Sequence, residues 1–163
     1  EKLRNYMIEK DNDGILFVCL GNICRSPTVE AVARAEFADA GLDVAVASCG
    51  TGDWHVGQGA DPRAVKAGAQ AGYDLSAHRA RQLRADDFQR HRMVLAMDHS
   101  NLADLLAMCP PEWRSRVGLF LEVAAAAPPS EVPDPYHGGN EDFAHVIELA
   151  RRGARGLVDL LQG

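Results

Sequence analysis

The chain has 163 residues, of which 47% are apolar and 25% charged, and its formal net charge is −6. This balance is typical of one globular domain with its own hydrophobic core, and the acidic charge argues against a nucleic-acid partner. The apolar stretches are far shorter than a membrane span, so the sequence also predicts no membrane partner.

Residues 1–13 are polar, and we expect them to form a loose or disordered arm before a single domain over residues 14–163. The opening residues lack the pattern of a secretory signal. The cysteines are Cys19, Cys24, Cys49 and Cys109. They are too sparse for a disulfide framework, and no Cys/His pair completes a zinc site, so we expect reduced thiols and a cytoplasmic location.

The first half of the domain alternates strand and helix patterns. The run GILFVC over Gly14–Cys19 is apolar and rich in β-formers, which predicts a buried strand. Apolar residues at helical spacing over 29–37 predict a helix, and the alternation over Leu42–Ala47 predicts a second strand. A further helix is predicted over Arg63–Ala71, because the preceding Asp61-Pro62 is a cap followed by proline in the first turn.

The second half repeats the alternation. Met93–Met97 is predicted as a buried third strand, followed by a helix capped by Asp98 or Ser100. Val117–Leu121 is a weaker fourth strand, and apolar spacing over 143–161 predicts a final helix, although two glycines weaken that pattern. Strands alternating with helices predict an α/β three-layer sandwich, in which a central four-stranded parallel sheet has helices on both faces.

The stretch VCLGNICRSP follows the first strand, at the sheet edge where α/β proteins bind ligands. Ser26 is a candidate helix cap and Pro27 suits a first turn, so residues 20–25 are expected to wrap the helix N-terminus. Unpaired N–H groups and the positive end of the helix dipole favour an anion there. Gly21 leaves room for it, and Asn22 tolerates a left-handed backbone.

Arg25 adds a planar guanidinium fork that suits two oxygens of a phosphate. The same positive surroundings favour the thiolate form of Cys19, which is then an activated nucleophile beneath the phosphate. A nucleotide P-loop is excluded because no Gly-Lys-Ser/Thr follows, and a dinucleotide fingerprint is excluded because its glycines are missing.

Attack by a thiolate on a phosphate ester requires an acid near the leaving oxygen. The best candidate is Asp134 in EVPDPYHGG, where prolines stiffen the backbone on both sides and two glycines follow. The alternative is a solvated aspartate in a proline-rich surface loop.

These motifs resemble those of the low molecular weight protein tyrosine phosphatases. The matching pieces, in the family's order, are FVCLGNICRSP, GTGDWHVG, DPRA, HRARQL, MDHSN and DPYHGG, and they cover nearly the whole chain from Gly14 onward. The resemblance implies a four-stranded parallel sheet with flanking helices. It also implies an enzyme that needs no metal or other cofactor.

The resemblance implies a role for each matching residue. Cys19 is the nucleophile that forms a cysteinyl-phosphate, Arg25 clamps the phosphate, and Asp134 is the general acid and then base. The implied phosphate-binding loop is Leu20, Gly21, Asn22, Ile23, Cys24 and Arg25. The implied supporting residues are Asn22, Ser26, Ser48 and His78. Cys24 is either a redox partner that protects Cys19 as a reversible disulfide or a residue that packs within the loop.

The pocket walls implied by the resemblance are Trp54 and Tyr136, which can sandwich a phenyl ring. A related branch that dephosphorylates arginine carries threonine where this chain has Ile23, so we expect tyrosine specificity. The expected partners are phosphotyrosine proteins, small aryl phosphates and inorganic phosphate, and the expected state is a monomer. The alternatives are an arsenate reductase, a protein-arginine phosphatase, or a phosphotyrosine-binding module without turnover.

Overall fold

Four parallel strands form the central sheet of the computed structural model, which describes residues 14–163. The strands are β1 (Gly14–Cys19), β2 (Val46–Gly50), β3 (His91–Ala96) and β4 (Val117–Leu119), in the spatial order β2-β1-β3-β4. The expected α/β class with its four-stranded parallel sheet is confirmed. The predicted arm over residues 1–13 lies outside the described residues.

The helices connect successive strands, and the last two follow β4. They are α1 (Arg25–Asp39), α2 (Pro62–Gln70), α3 (Asp87–Arg90), α4 (His99–Met108), a 3₁₀ helix (Pro111–Arg116), α5 (Phe120–Val123) and α6 (Asn140–Gln162). Within residues 14–163, none of these helices combines the length and apolar character needed to cross a membrane.

The central strand β1 is buried on both faces, and its side chains alternate between two cores. Ile15 and Phe17 pack in the core that α1 and α6 cover, where Phe17 meets Phe120 edge to face at 5.4 Å between ring centroids. Leu16 and Val18 belong to the opposite core, beneath α3 and α4. The near-continuous apolar run of β1 therefore reflects a strand buried by helices on both sides.

Three strands differ in their bounds from the sequence prediction. The strand predicted over Met93–Met97 covers His91–Ala96. The strand predicted over Leu42–Ala47 begins only at Val46. The register of β2 with β1 starts there, because Val46 is paired with Ile15 and no earlier residue of the predicted strand is paired with β1. The strand predicted over Val117–Leu121 ends at Leu119, where the short helix α5 begins. A pattern of apolar residues does not show where a neighbouring strand is available for pairing.

The predicted caps at α2 and α4 form. The Asp61 carboxylate accepts a hydrogen bond from the N–H of Arg63 at 2.8 Å, with Pro62 in the first turn. Of the two candidates at α4, Asp98 is the cap, since it accepts from the N–H of Asn101 at 2.7 Å.

The two glycines that weakened the final helix are explained by packing in α6. A Cβ at Gly153 would overlap the ring of Phe120, and one at Gly156 would overlap the backbone of Ala124. The absent side chains let α6 approach α5 closely, although each glycine costs about 1 kcal/mol of helix propensity relative to alanine.

Candidate active site

The segment between β1 and α1 forms the floor of a cavity of about 270 Å³. It lies at the carboxyl ends of the strands, where ligands bind in such sheets. The floor is lined by Cys19, Leu20, Gly21, Asn22, Ile23, Cys24 and Arg25. The walls are lined by Trp54, His55, Asp134, Tyr136 and His137. The structure thus brings together the predicted nucleophile, the predicted phosphate-binding loop, the predicted acid and the two aromatic residues predicted to form the pocket walls.

The sulfur of Cys19 lies among hydrogen-bond donors. The backbone N–H of Asn22 donates to Sγ at 3.2 Å, and the Ser26 hydroxyl lies 2.9 Å from the same atom. The side-chain amide of Asn22 donates to Ser26 Oγ at 2.8 Å, so the hydroxyl proton is free for another acceptor. The sulfur, at 2.9 Å, is nearer to Oγ than the Cys49 carbonyl at 3.4 Å. These donors stabilise negative charge on Sγ.

Ser26 does not cap the helix. α1 already begins at Arg25, the cap position is Cys24, and no side chain bonds the free N–H groups there. The prediction of Ser26 as a cap is therefore wrong, because its hydroxyl is directed to Cys19. The open N–H groups at the start of α1 remain available to an anion in the cavity.

Asn22 has a left-handed backbone, with φ of 58°, and is fully buried. Its Nδ2 donates to Ser48 Oγ at 2.9 Å as well as to Ser26, and its Oδ1 accepts from the N–H of Arg81 at 3.0 Å. His78 donates from Nε2 to the Asn22 carbonyl at 2.7 Å, which places the His78 proton on Nε2. Every polar atom of the Asn22 side chain is therefore used to hold the strained loop.

Three neighbours of this network had no clear signal in the sequence. Glu30 accepts a hydrogen bond from Ser48 Oγ at 2.6 Å. The backbone N–H of Arg81 donates to Asn22 Oδ1, and the Arg81 carbonyl accepts a hydrogen bond from the N–H of Gly50 at 2.9 Å. A Cβ at Gly50 would lie 2.6 Å from the Leu20 carbonyl, so the end of β2 passes the phosphate loop at a distance that only glycine allows.

Arg25 is 5% exposed, and its two partners within residues 14–163 both contact Nη1. Asp98 accepts from Nη1 at 2.6 Å and the Val132 carbonyl accepts at 3.0 Å. Nε and Nη2 therefore remain available for two oxygens of a phosphate. Burial acts to raise the pKa of Asp98, but the hydrogen bonds from Arg25 and Asn101 outweigh it and hold that pKa below its usual range. Asp98 is thus a carboxylate that fixes the guanidinium.

Asp134 is exposed on the wall of the cavity. The N–H of Tyr136 donates to its Oδ1 at 3.1 Å, which orients the carboxyl group. The segment is anchored on both sides of Asp134, because Pro135 is buried and the N–H of Val132 donates to Met97 O at 2.8 Å. The predicted acid therefore lies on a stiff loop that is fixed to the end of β3.

The two predicted walls are the exposed aromatic residues Trp54 and Tyr136, at 67% and 41% exposure. Trp54 is not a core residue, so its ring is free to contact a ligand. The sequence analysis missed two histidines in the same cavity, His55 and His137. His137 packs edge-on against Tyr136, with ring centroids 5.1 Å apart. Within residues 14–163, no group of three His, Cys, Asp or Glu side chains could hold a metal ion.

Cys24 is buried, and its thiol lies 3.8 Å from Asp61 Oδ2. Burial and the nearby Asp61 carboxylate raise the pKa of Cys24 to about 12. Cys24 therefore remains a thiol at neutral pH, which slows any disulfide exchange that it could undertake. Its role as a redox partner of Cys19 stays a prediction. None of the four cysteines, all of which lie within residues 14–163, forms a disulfide.

A partly buried ion pair supports the segment that holds Asn22. Arg81 donates two hydrogen bonds to Asp87, at 2.9 and 3.0 Å, and the N–H of Arg84 donates a third at 2.7 Å. Burial acts to raise the pKa of Asp87, but these hydrogen bonds outweigh it and leave the pKa lowered. Asp87 is 1% exposed, so its charge depends on these partners.

Changing Asp87 to asparagine is expected to lower the free energy of unfolding by about 2–3 kcal/mol at neutral pH. This is below the roughly 3–5 kcal/mol lost when a fully buried ion pair is broken, because the Arg81 side chain is 30% exposed. Turnover should fall about tenfold, since the Arg81 backbone then holds Asn22 less firmly. The folded-state pKa of Asp87 is lowered, so the stability difference should shrink as the pH falls below about 4. Denaturant unfolding and initial rates at several pH values measure both effects.

Asp86→Asn is the matched control, because Asp86 pairs with Arg90 at the surface at 3.6 Å. It should change stability and turnover little. Equal effects of the two substitutions would contradict a supporting role for Asp87.

A family model described as low molecular weight phosphotyrosine protein phosphatase matches residues 14–163. The low molecular weight protein-tyrosine-phosphatase of Streptomyces coelicolor is 42% identical over 149 residues, which cover 88% of this chain and 90% of that protein. The low molecular weight phosphotyrosine protein phosphatase of Schizosaccharomyces pombe is 44% identical over 135 residues, which cover 81% of this chain and 86% of that protein.

The solved structures agree with these relatives. A protein tyrosine phosphatase from Entamoeba histolytica, crystallised with Hepes in its active site, has a TM-score of 0.88 to this chain at 35% identity. The match covers 91% of this chain and 96% of the Entamoeba chain.

Proposed function

We propose, from the premise that this chain belongs to the low molecular weight phosphotyrosine protein phosphatase family, that Cys19, Arg25 and Asp134 carry out its reaction. The chain is a protein-tyrosine phosphatase, an enzyme that hydrolyses phosphoric monoesters. We assign the activity to one domain over residues 14–163. The observation that best supports the site assignment is the sulfur of Cys19, which lies on the cavity floor beside the Asn22 N–H, the Ser26 hydroxyl and the start of α1.

In the first step the Cys19 thiolate attacks the phosphorus of a bound phosphotyrosine. An S–P bond forms while the bond between phosphorus and the phenolic oxygen breaks. Asp134 in its acid form gives its proton to that oxygen, so the tyrosine leaves as a neutral phenol. The loop N–H groups and the free Nε and Nη2 of Arg25 hold the equatorial oxygens, where charge is stabilised in the transition state.

In the second step Asp134, now a carboxylate, takes a proton from water as the water oxygen attacks phosphorus. The S–P bond breaks, inorganic phosphate forms, and the electron pair returns to Cys19 as a thiolate. The Ser26 hydroxyl and the Asn22 N–H favour this departure because they donate to the sulfur. Asn22, Ser48 and His78 act as positioning residues, since they hold the loop around the phosphate.

The cavity supports an aryl phosphate as the substrate. Trp54 and Tyr136 provide aromatic surface for a phenyl ring, and the sulfur lies at the bottom of the cavity. A phosphoserine side chain is too short to span that depth. Ile23 adds an apolar surface that offers no partner to a guanidinium, which favours phosphotyrosine over phosphoarginine. The expected partners are phosphotyrosine proteins, small aryl phosphates and phosphate as the product.

The positions of Cys49 and Cys109 favour ester hydrolysis over arsenate reduction. Cys49 is completely buried, and the Cys109 thiol donates to the Pro110 carbonyl at 3.3 Å. Neither lines the active-site cavity with Cys19. The monomeric state and the cytoplasmic location remain predictions, which size-exclusion chromatography and cell fractionation can test.

The deciding experiment compares substrates on one enzyme preparation in the presence of EDTA. We expect rapid release of nitrophenol from 4-nitrophenyl phosphate and hydrolysis of a phosphotyrosyl peptide. The same peptide carrying phosphoarginine should react far more slowly. Preference for phosphoarginine would reverse the substrate assignment. Thiol-dependent reduction of arsenate with little phosphatase activity would show that the enzyme is an arsenate reductase.

A further inference from the structure

A second cavity, of about 200 Å³, lies beside the active site, between α2 and the start of α6. We call it the basic groove. Its polar lining consists of three cations and two side-chain amides without a carboxylate, from Arg63, Lys66, Arg151, Gln70 and Asn140. The lining can therefore supply hydrogen-bond donors and positive charge to an anionic ligand.

Arg63 lies between the basic groove and the active-site cavity. Its guanidinium carbon is 5.4 Å from the centre of the Tyr136 ring and 4.6 Å from that of Phe143. Hydrogen bonds to both oxygens of Asp61, at 3.1 and 2.8 Å, fix this position. A polypeptide that leaves the phosphotyrosine pocket across Tyr136 consequently meets Arg63 and then the basic groove.

The positive charge of the groove is not fully neutralised by neighbouring groups. Asp61 balances Arg63, while Glu148 lies 4.0 Å from Arg151 and 3.6 Å from Arg152. Lys66 is exposed and forms no ion pair with any residue in 14–163. Lys66 therefore offers an unneutralised positive charge next to the active site, although the chain as a whole carries a net charge of −6.

We propose that the basic groove binds an acidic segment of the phosphotyrosyl protein, on one side of the phosphotyrosine. The inference rests on the proposed phosphatase function and extends it to the sequence around the target residue. Carboxylates in that segment would meet the Lys66 ammonium. Arg63 and Arg151 already bond Asp61, the Tyr73 hydroxyl and the Ala71 carbonyl, and they add positive charge nearby. The groove does not touch the reacting atoms, so it acts on association and KM rather than on kcat.

The test uses three phosphotyrosyl peptides of equal length. One carries glutamates only before the phosphotyrosine, one only after it, and the third has glutamine at all of those positions. We expect one of the glutamate peptides to exceed the glutamine peptide about fivefold in kcat/KM, with similar kcat. The advantage should diminish as sodium chloride is added, because exposed charges are screened.

The Lys66→Glu variant tests whether the higher kcat/KM of the glutamate peptide depends on the basic groove. It should abolish the advantage of the glutamate peptide, whereas Arg114→Glu should keep it. Arg114 carries the same charge, is exposed on the 3₁₀ helix, and lines neither cavity.

Equal kcat/KM for all three peptides would overturn the proposal, as would a glutamate advantage that persists in Lys66→Glu. Failure of the unchanged enzyme to hydrolyse any of the peptides or 4-nitrophenyl phosphate would instead overturn the phosphatase function itself. The small aryl phosphate distinguishes the two failures, because it lacks a segment that could reach the basic groove.

Discussion

Cys19→Ser is expected to lower the turnover of aryl phosphates by about 10⁴-fold or more, because a serine hydroxyl at this position has no base to activate it. The sulfur is stabilised as an anion by the Asn22 N–H at 3.2 Å and the Ser26 hydroxyl at 2.9 Å, and an alcohol remains neutral among the same donors. Steady-state release of nitrophenol measures the loss. The variant should still bind inorganic phosphate, since the loop N–H groups and Arg25 are unchanged.

Cys109→Ser is the matched control, because the Cys109 thiol bonds a carbonyl outside the active-site cavity. It should retain turnover close to that of the unchanged enzyme. If Cys19→Ser kept more than about one-hundredth of the turnover, the covalent mechanism would have to be abandoned.

Asp134→Asn is expected to lower kcat for phenyl phosphate by about 10²–10³-fold, since an amide cannot give a proton to the departing phenolate. The loss should be smaller for 4-nitrophenyl phosphate, because nitrophenolate leaves readily without a proton. If water attack is also slowed, phosphate should accumulate on Cys19. Rapid acid quenching followed by mass spectrometry of the intact protein detects that phosphoprotein.

Asp104→Asn provides the comparison, because Asp104 is exposed on α4 and lines neither cavity. It should leave both substrates unaffected. Full turnover of phenyl phosphate by Asp134→Asn would mean that a residue other than Asp134 is the acid. His55 and His137 would then be the first residues to examine, since both line the same cavity.

The features that sequence reasoning located correctly are local ones. The buried run of β1 was predicted at Gly14–Cys19, and the caps at Asp61 and Asp98 were recognised. Each depends on a few neighbouring residues, such as a polar side chain just before a helix. The position of Asp134 beside the cavity was inferred because a phosphate-binding cysteine loop needs an acid.

The partners of the phosphate loop could not be located in this way. Asp98 was recognised as a cap, but its second oxygen bonds Arg25, from which it is separated by 73 positions in the chain. Arg81 bonds Asn22 through its backbone, which carries no residue-specific signal. Ser26 was assigned to the helix start because serine usually caps helices, but here the thiol competes for its hydroxyl. Such pairings depend on how distant segments meet in the fold.

The attachment of Arg25 has an entropic consequence for the catalytic cycle. Ordering a free arginine side chain costs about 1.5–2 kcal/mol in rotamer freedom. Asp98 and the Val132 carbonyl already immobilise Nη1 before a substrate arrives, so this freedom is lost once, when the protein folds. Each incoming phosphate therefore meets a rigid guanidinium, and more of its binding energy remains for the transition state.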